Sequence, residues 1–143
     1  MSFALHPQLA RDTATVGDLA LCRVLLMNDR RFPWLILVPR QPDLREMHEL
    51  DEASQQALTR EINTTAQRMA WHFKADKMNV AALGNVVPQL HIHVIARHTG
   101  DAAWPSPVWG RLPVEPYPAE MLAVRVRDLQ TLFSTPPLAL APG

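Results

Sequence analysis

The chain of 143 residues contains a single cysteine, Cys22, so no disulfide can close within it. That thiol falls inside an apolar run, where a buried and inert sulfhydryl is expected rather than a reactive one. Net charge is lacking too. Fourteen basic and 14 acidic residues cancel, which leaves no electrostatic footprint for a nucleic acid polymer or an anionic membrane. No run approaches the roughly 18 apolar residues of a membrane-crossing helix. The opening Met1-Ser2-Phe3-Ala4-Leu5-His6 has neither a basic region nor an apolar stretch of leader length, and a cytoplasmic protein is expected. There is no internal repeat. What is present is ordinary: 48% hydrophobic and 20% charged residues, the profile of one globular domain over 1–143, long enough to bury a core.

The most informative stretch is residues 89–97, Gln-Leu-His-Ile-His-Val-Ile-Ala-Arg. In an extended chain Gln89, His91 and His93 share one face, and Leu90, Ile92 and Val94 share the other. Alternating polarity with Val and Ile predicts a half-buried strand. Same-face neighbours on a strand lie roughly 7 Å apart, so both imidazoles can address one small ligand. Three readings follow: a solvated strand face, a metal site, or chemistry in which one imidazole attacks while its neighbour handles a proton or charged oxygen. The metal reading is the weakest, because His98 and Asp101 are the nearest further ligands and Cys22 is far away. Spacing alone does not choose among the three.

With its lead-in, the segment Gly84-Asn85-Val86-Val87-Pro88-Gln89-Leu90-His91-Ile92-His93-Val94-Ile95 resembles the signature of the histidine triad (HIT) family, in which histidines alternate with hydrophobic residues and two hydrophobics follow. Gln89 stands where the first of three histidines falls; His91 and His93 fall on the middle and last. A looser resemblance extends over residues 15–110. It implies a HIT-like fold with about five mostly antiparallel strands, one long helix and a C-terminal helix. It also implies binding of nucleoside mono- or polyphosphates, with cleavage or transfer at the α-phosphorus through a covalent nucleotidyl-histidine. His91 would be the nucleophile and His93 the imidazole contact to phosphate oxygen. The Gln89 backbone carbonyl would hold the nucleophile's other ring nitrogen; its side chain can hydrogen-bond to phosphate or leaving group but carries no charge. Asn85 would lie near the phosphates, or simply serve the turn after Gly84. Asn28 resembles the residue that holds ribose hydroxyls. Trp34 falls near an additional family histidine, which it cannot replace chemically. Phosphoramidates or dinucleoside polyphosphates are the expected substrates, with no cofactor or metal, and relatives pair as homodimers through the long helix and a sheet edge. The alternative is a nucleotide-binding or interaction module with little turnover.

Along the chain, Pro7 predicts a short helical turn. Residues 13–17 end in a turn signal, Gly17-Asp18. Residues 19–27 and 34–38 read as strands joined by the polar link Asn28-Asp29-Arg30-Arg31, which predicts an antiparallel hairpin. Asp43-Leu44 suggests a single helical turn. Asp51 caps a helix of about 20 residues whose apolar stripe is Leu58, Ile62, Ala66, Met69 and Phe73, with Arg60, Glu61, Gln67 and Arg68 elsewhere. Trp71 and His72 read as packing and surface residues. Residues 77–83 predict another strand. Together these describe an α+β domain with mostly antiparallel pairing. From about residue 101 the character changes: eight of the 13 prolines lie between Pro105 and Pro142, around Trp104 and Trp109. An ordered loop over the site, or a segment packed on a partner subunit, is expected there. A helix from Pro118 to about Phe133 and an irregular tail follow.

Overall fold

Alternating apolar residues build the centre of the molecule. The structure, a computed structural model, describes residues 2–111 and 113–142. Strands β1 (Thr13–Asp18), β2 (Cys22–Met27), β3 (Trp34–Pro39), β4 (Lys77–Ala81) and β5 (Ile92–Arg97) form one sheet in the order β1-β2-β3-β5-β4. Every neighbouring pair is antiparallel, as the α+β reading expects. On one face Val24, Leu26, Leu35, Leu37, Ile92, Val94 and Ala96 pack under α2 (Glu52–Phe73) and α3 (Ala119–Gln130). On the other, Leu25, Trp34, Ile36, Val38 and Ile95 pack under the short α1 (Pro7–Asp12) and the loop that follows β5. Strands β3 and β5 are buried along their whole length. Each fully buried Leu or Ile there contributes about 1.5–3 kcal/mol of transfer free energy.

Helix α2 begins where expected: Asp51 accepts from the Ser54 N–H at 2.8 Å. It ends at Lys74, whose φ of 50° closes the last turn in the left-handed region. Leu58 and Met69 point into the core, but so does Glu61, only 2% exposed. Its two carboxylate oxygens accept from the Leu21 and Cys22 N–H groups at 2.9 Å each. Glu61 is therefore not a solvated-face residue; it satisfies two donors that the turn before β2 leaves free. No helix among the described residues is long and apolar enough to cross a membrane.

Several boundaries differ from the sequence expectation. The strand predicted over 19–27 starts only at Cys22, because residues 19–21 form the turn that Glu61 caps. Residues 13–18 are a full strand with an irregular register between Thr15 and Gly17. Asp43 lies at φ 57° in a turn rather than a helical one, and a 3-10 turn follows at Met47–Glu49. Strand β4 stops at Ala81, before Leu83. The tail is a small hairpin, β6 (Ser134–Thr135) with β7 (Leu138–Ala139). Arg68 holds it in place by donating to the carbonyls of Leu132, Leu138 and Thr135.

The motif strand is also shorter than predicted. Pairing begins at Ile92, not at Gln89. Pro88 has no N–H, the Leu90 N–H donates to the Leu44 carbonyl at 2.9 Å, and the Gln89 carbonyl receives the His91 ring at 2.7 Å. Those groups are withdrawn from the ladder.

Candidate active site

Beside β5, on the face away from α2, lies a cleft of about 490 Å3. Leu9, Met27, Trp34, Ile36, Val87, Val108 and Trp109 give it apolar walls, and Gln8, Asp12, Asp29, Arg31, Asn85, His91 and His93 bring polar groups. A concave, mostly apolar site with a few convergent polar groups suits a small organic ligand. Alternation places the imidazoles here: Leu90, Ile92 and Val94 join the helix-side core, so His91 and His93 face the cleft. Both are buried, 7% and 6% exposed, with ring centroids 4.9 Å apart.

Their hydrogen bonds fix opposite tautomers. The Gln89 carbonyl can only accept, so His91 carries its proton on Nδ1, at 2.7 Å from that oxygen, and in the neutral ring Nε2 is a bare lone pair. His93 is held the other way round. The Trp34 indole N–H donates to His93 Nδ1 at 3.0 Å, so the neutral His93 ring bears its proton on Nε2. The sheet register brings the two residues together: Ile36 lies opposite His93, and Trp34 is the diagonal neighbour two residues away. One ring thus offers a nucleophilic lone pair and the adjacent ring an N–H donor.

Both rings are uncharged at neutral pH. Burial lowers the His91 pKa below its usual value of 6.5, against the opposing pull of the Gln89 carbonyl. Burial, with His91 adding to it, takes His93 down to about 3.

The loop after β5 covers this pair. Arg97, 1% exposed, pairs with Asp101 at 2.7 Å and donates to Asn79 Oδ1 at 2.8 Å and to the Ser106 carbonyl at 2.9 Å. Burial alone would raise the Asp101 carboxyl; the Arg97 guanidinium and the N–H groups of His98, Ala103 and Trp104 outweigh it and hold the pKa at about 2. The strut ends in Trp109, packed edge-on against His93 at 5.1 Å and Trp34 at 6.2 Å. Trp109 is the loop residue over the site that the Trp/Pro-rich segment led one to expect.

Of the residues singled out in the sequence, His91, His93 and Asn85 meet at the cleft. Gln89 contributes its carbonyl, but its side chain does not line the cleft: Oε1 accepts from the His6 N–H at 2.8 Å and Nε2 donates to the Ala4 carbonyl at 2.9 Å. Asn28 is outside the lining as well; its Oδ1 accepts from the Tyr117 N–H at 2.9 Å. Its neighbour Asp29, 1% exposed and paired with Arg31 at 2.7 Å, lines the cleft instead, as Asp12 also does. Strand periodicity carries that signal, because Leu25 and Met27 belong to the cleft side and Asp29 continues their phase. Among the described residues no three His, Cys, Asp or Glu side chains gather as a metal site would need.

Comparison with known proteins gives a consistent result. The HIT domain matches residues 8–100. A histidine triad protein from Marinobacter aquaeolei VT8 is 52% identical with a TM-score of 0.90, over 92% of this chain and 96% of that one. The histidine triad protein of Bradyrhizobium japonicum is 46% identical with a TM-score of 0.88, over 92% and 98%. One from Sinorhizobium meliloti 1021 is 46% identical with a TM-score of 0.87, over 90% and 96%. The search of curated proteins finds no match.

Proposed function

We propose that this chain, which belongs to the HIT domain family, hydrolyses or transfers nucleoside phosphates at the α-phosphorus through His91. The observation that carries the reading is the pair of opposed tautomers: a lone pair on His91 Nε2 beside an N–H on His93 Nε2. His91 Nε2 attacks phosphorus, the P–N bond forms, and the bond to the leaving group breaks with its electron pair departing on that group. The His91 ring becomes cationic, which the Gln89 carbonyl on Nδ1–H stabilises. His93 Nε2–H donates to a non-bridging phosphate oxygen, where negative charge concentrates. Water then attacks phosphorus, the nucleoside monophosphate leaves, one proton is released, and His91 returns neutral. Apolar walls suit a base, and Asp29 offers an acceptor for ribose hydroxyls in place of Asn28. Phosphoramidates and dinucleoside polyphosphates are the substrates we assign, in the cytoplasm.

The chromatographic release of nucleoside monophosphate from a panel of adenosine and guanosine phosphoramidates, diphosphates and dinucleoside polyphosphates tests this. His91→Ala is expected to lower release by at least about 10^3-fold, as removal of a nucleophile does, and to keep monophosphate binding. Equal activity in the variant overturns the reading. A second reading, recognition with little turnover, is favoured by one feature: Gln89 and Trp34 stand at two positions where family members carry imidazoles. No release from wild type, with binding intact, selects it. We also assign a homodimer through the β4 edge and α2. Among the described residues the outer edge of β4 is unpaired, and Trp71 on α2 is 73% exposed. Sedimentation of Trp71→Glu checks this, a shift to monomer being expected.

A further inference from the structure

Gln89 joins two parts of the molecule that the sequence keeps more than 80 residues apart. Its main-chain carbonyl holds the nucleophile, with His91 Nδ1 at 2.7 Å. Its side-chain amide takes the place of a strand residue against the N-terminal arm, accepting from the His6 N–H at 2.8 Å and donating to the Ala4 carbonyl at 2.9 Å. A carbonyl on one residue and an N–H two residues later is the spacing that a parallel strand partner would use. His6 then caps α1, its Nδ1 accepting from the Gln8 N–H at 3.0 Å. From α1, Gln8, Leu9 and Asp12 form one wall of the cleft.

We propose that Gln89 is a positioning residue that latches the N-terminal arm, so that the α1 wall of the nucleotide cleft is set by the residue that also orients His91. An imidazole at this position would present its donor and acceptor on opposite sides of a ring, whereas a carboxamide presents both on one side, as the N–H and C=O of one strand residue do. The glutamine therefore fits a latch and not a phosphate contact. Its side chain lines a second hollow of about 380 Å3, with Ala4, His6, Leu44 and Arg45, and not the cleft.

The test separates the latch from the nucleotide reading on which its binding arm rests. Gln89→Ala removes both side-chain bonds. His6→Pro removes the N–H together with the imidazole, at a φ of −55° that already suits proline, and His6→Ala controls for loss of the imidazole. Two lost hydrogen bonds of ordinary strength predict about a tenfold weaker Kd for adenosine or guanosine monophosphate in Gln89→Ala, and in His6→Pro a raised KM with kcat changed less than about twofold. His6→Pro should weaken binding in the same direction and more than His6→Ala does. In the Gln89→Ala background His6→Pro should be no weaker than His6→Ala, since the same contact cannot be lost twice. Amide exchange at His6, read by NMR, should speed up in Gln89→Ala. Normal binding in His6→Pro together with a fall in kcat in Gln89→Ala would place the amide on the phosphate and overturn the latch. If the wild type binds no nucleotide, the functional reading fails, and His6 exchange alone decides: faster exchange in Gln89→Ala supports the latch, unchanged exchange overturns it.

Discussion

The two faces of the sheet are built from the same strands and differ in what covers them. Under α2 and α3, Leu35, Leu37, Ile92 and Val94 are 0–2% exposed and meet a helix of 22 residues. On the opposite face a helix of only six residues and the loop after β5 leave a cleft beside the start of β5. The imidazoles stand in that gap. A continuous apolar layer on one side holds β5 rigidly, and an incomplete layer on the other lets alternate residues of the same strand reach a ligand. Side chains built on a strand packed from behind are positioned more precisely than those on a free loop.

The comparison is sharpened most by a cut on the helical side. Leu35→Ala removes a buried side chain that faces the helices, and is expected to cost about 3 kcal/mol of stability, within the range for such truncations. Turnover per folded molecule should stay the same. Urea denaturation and activity scaled to folded fraction measure the two, and a scaled activity that falls severalfold would mean that the helical layer enters the chemistry directly.

Acid is the next lever, and it acts on the cleft side. His91 and His93 have folded pKa values below 6.5, with His93 at about 3. Below pH 6.5 the unfolded chain therefore binds more protons than the native one, and stability falls as pH drops. It is lost from about pH 6.5 downward, at up to about 1.4 kcal/mol per pH unit for each ring. The His93 contribution ends only near pH 3. Replacing His93 by Asn should flatten the urea midpoint between pH 6 and pH 4; an unchanged slope would show that His93 does not titrate in the unfolded chain alone. Activity follows the same sign, because only neutral His91 attacks: the rate should hold through neutrality and decline on the acid side, below pH 6.5.

Helix α2, the hairpin of β2 and β3 and the division of Leu90, Ile92 and Val94 from His91 and His93 are legible from periodicity, because one face of each is buried. Strand β1 is harder to see, since its register slips between Thr15 and Gly17, and Gly17 has no side chain where Leu140 comes within 2.8 Å of a Cβ position. Glu61 looks like a surface residue until the turn at Leu21 and Cys22 is folded against it. The cleft was half legible. Resemblance points to His91 and His93, which the structure places at the cleft, whereas Asn28 lies one step out of phase with the strand and Asp29 lines the cleft. The contact of Trp34 with His93 spans 59 residues and depends on the register of β3 against β5, which no local pattern states.

That contact yields the smallest and most discriminating prediction. Trp34→Phe keeps an aromatic ring against His93 and removes the indole N–H with part of the buried ring, so the stability cost should be about 2 kcal/mol, one hydrogen bond and a small cavity. The consequence for the cleft follows from tautomers. Without the donor, His93 Nδ1 no longer has to be the bare nitrogen, and a ring protonated there turns the Nε2 lone pair toward phosphate, which repels it. We expect kcat about tenfold lower, on the scale of one misplaced hydrogen-bond donor, with monophosphate affinity little changed. Nitrogen-15 shifts of the His93 ring read the tautomer directly. Should Nδ1 stay unprotonated in Trp34→Phe, with kcat unaltered, burial alone would set the tautomer, and the indole would be covering for the apolar side of the sheet rather than part of the site.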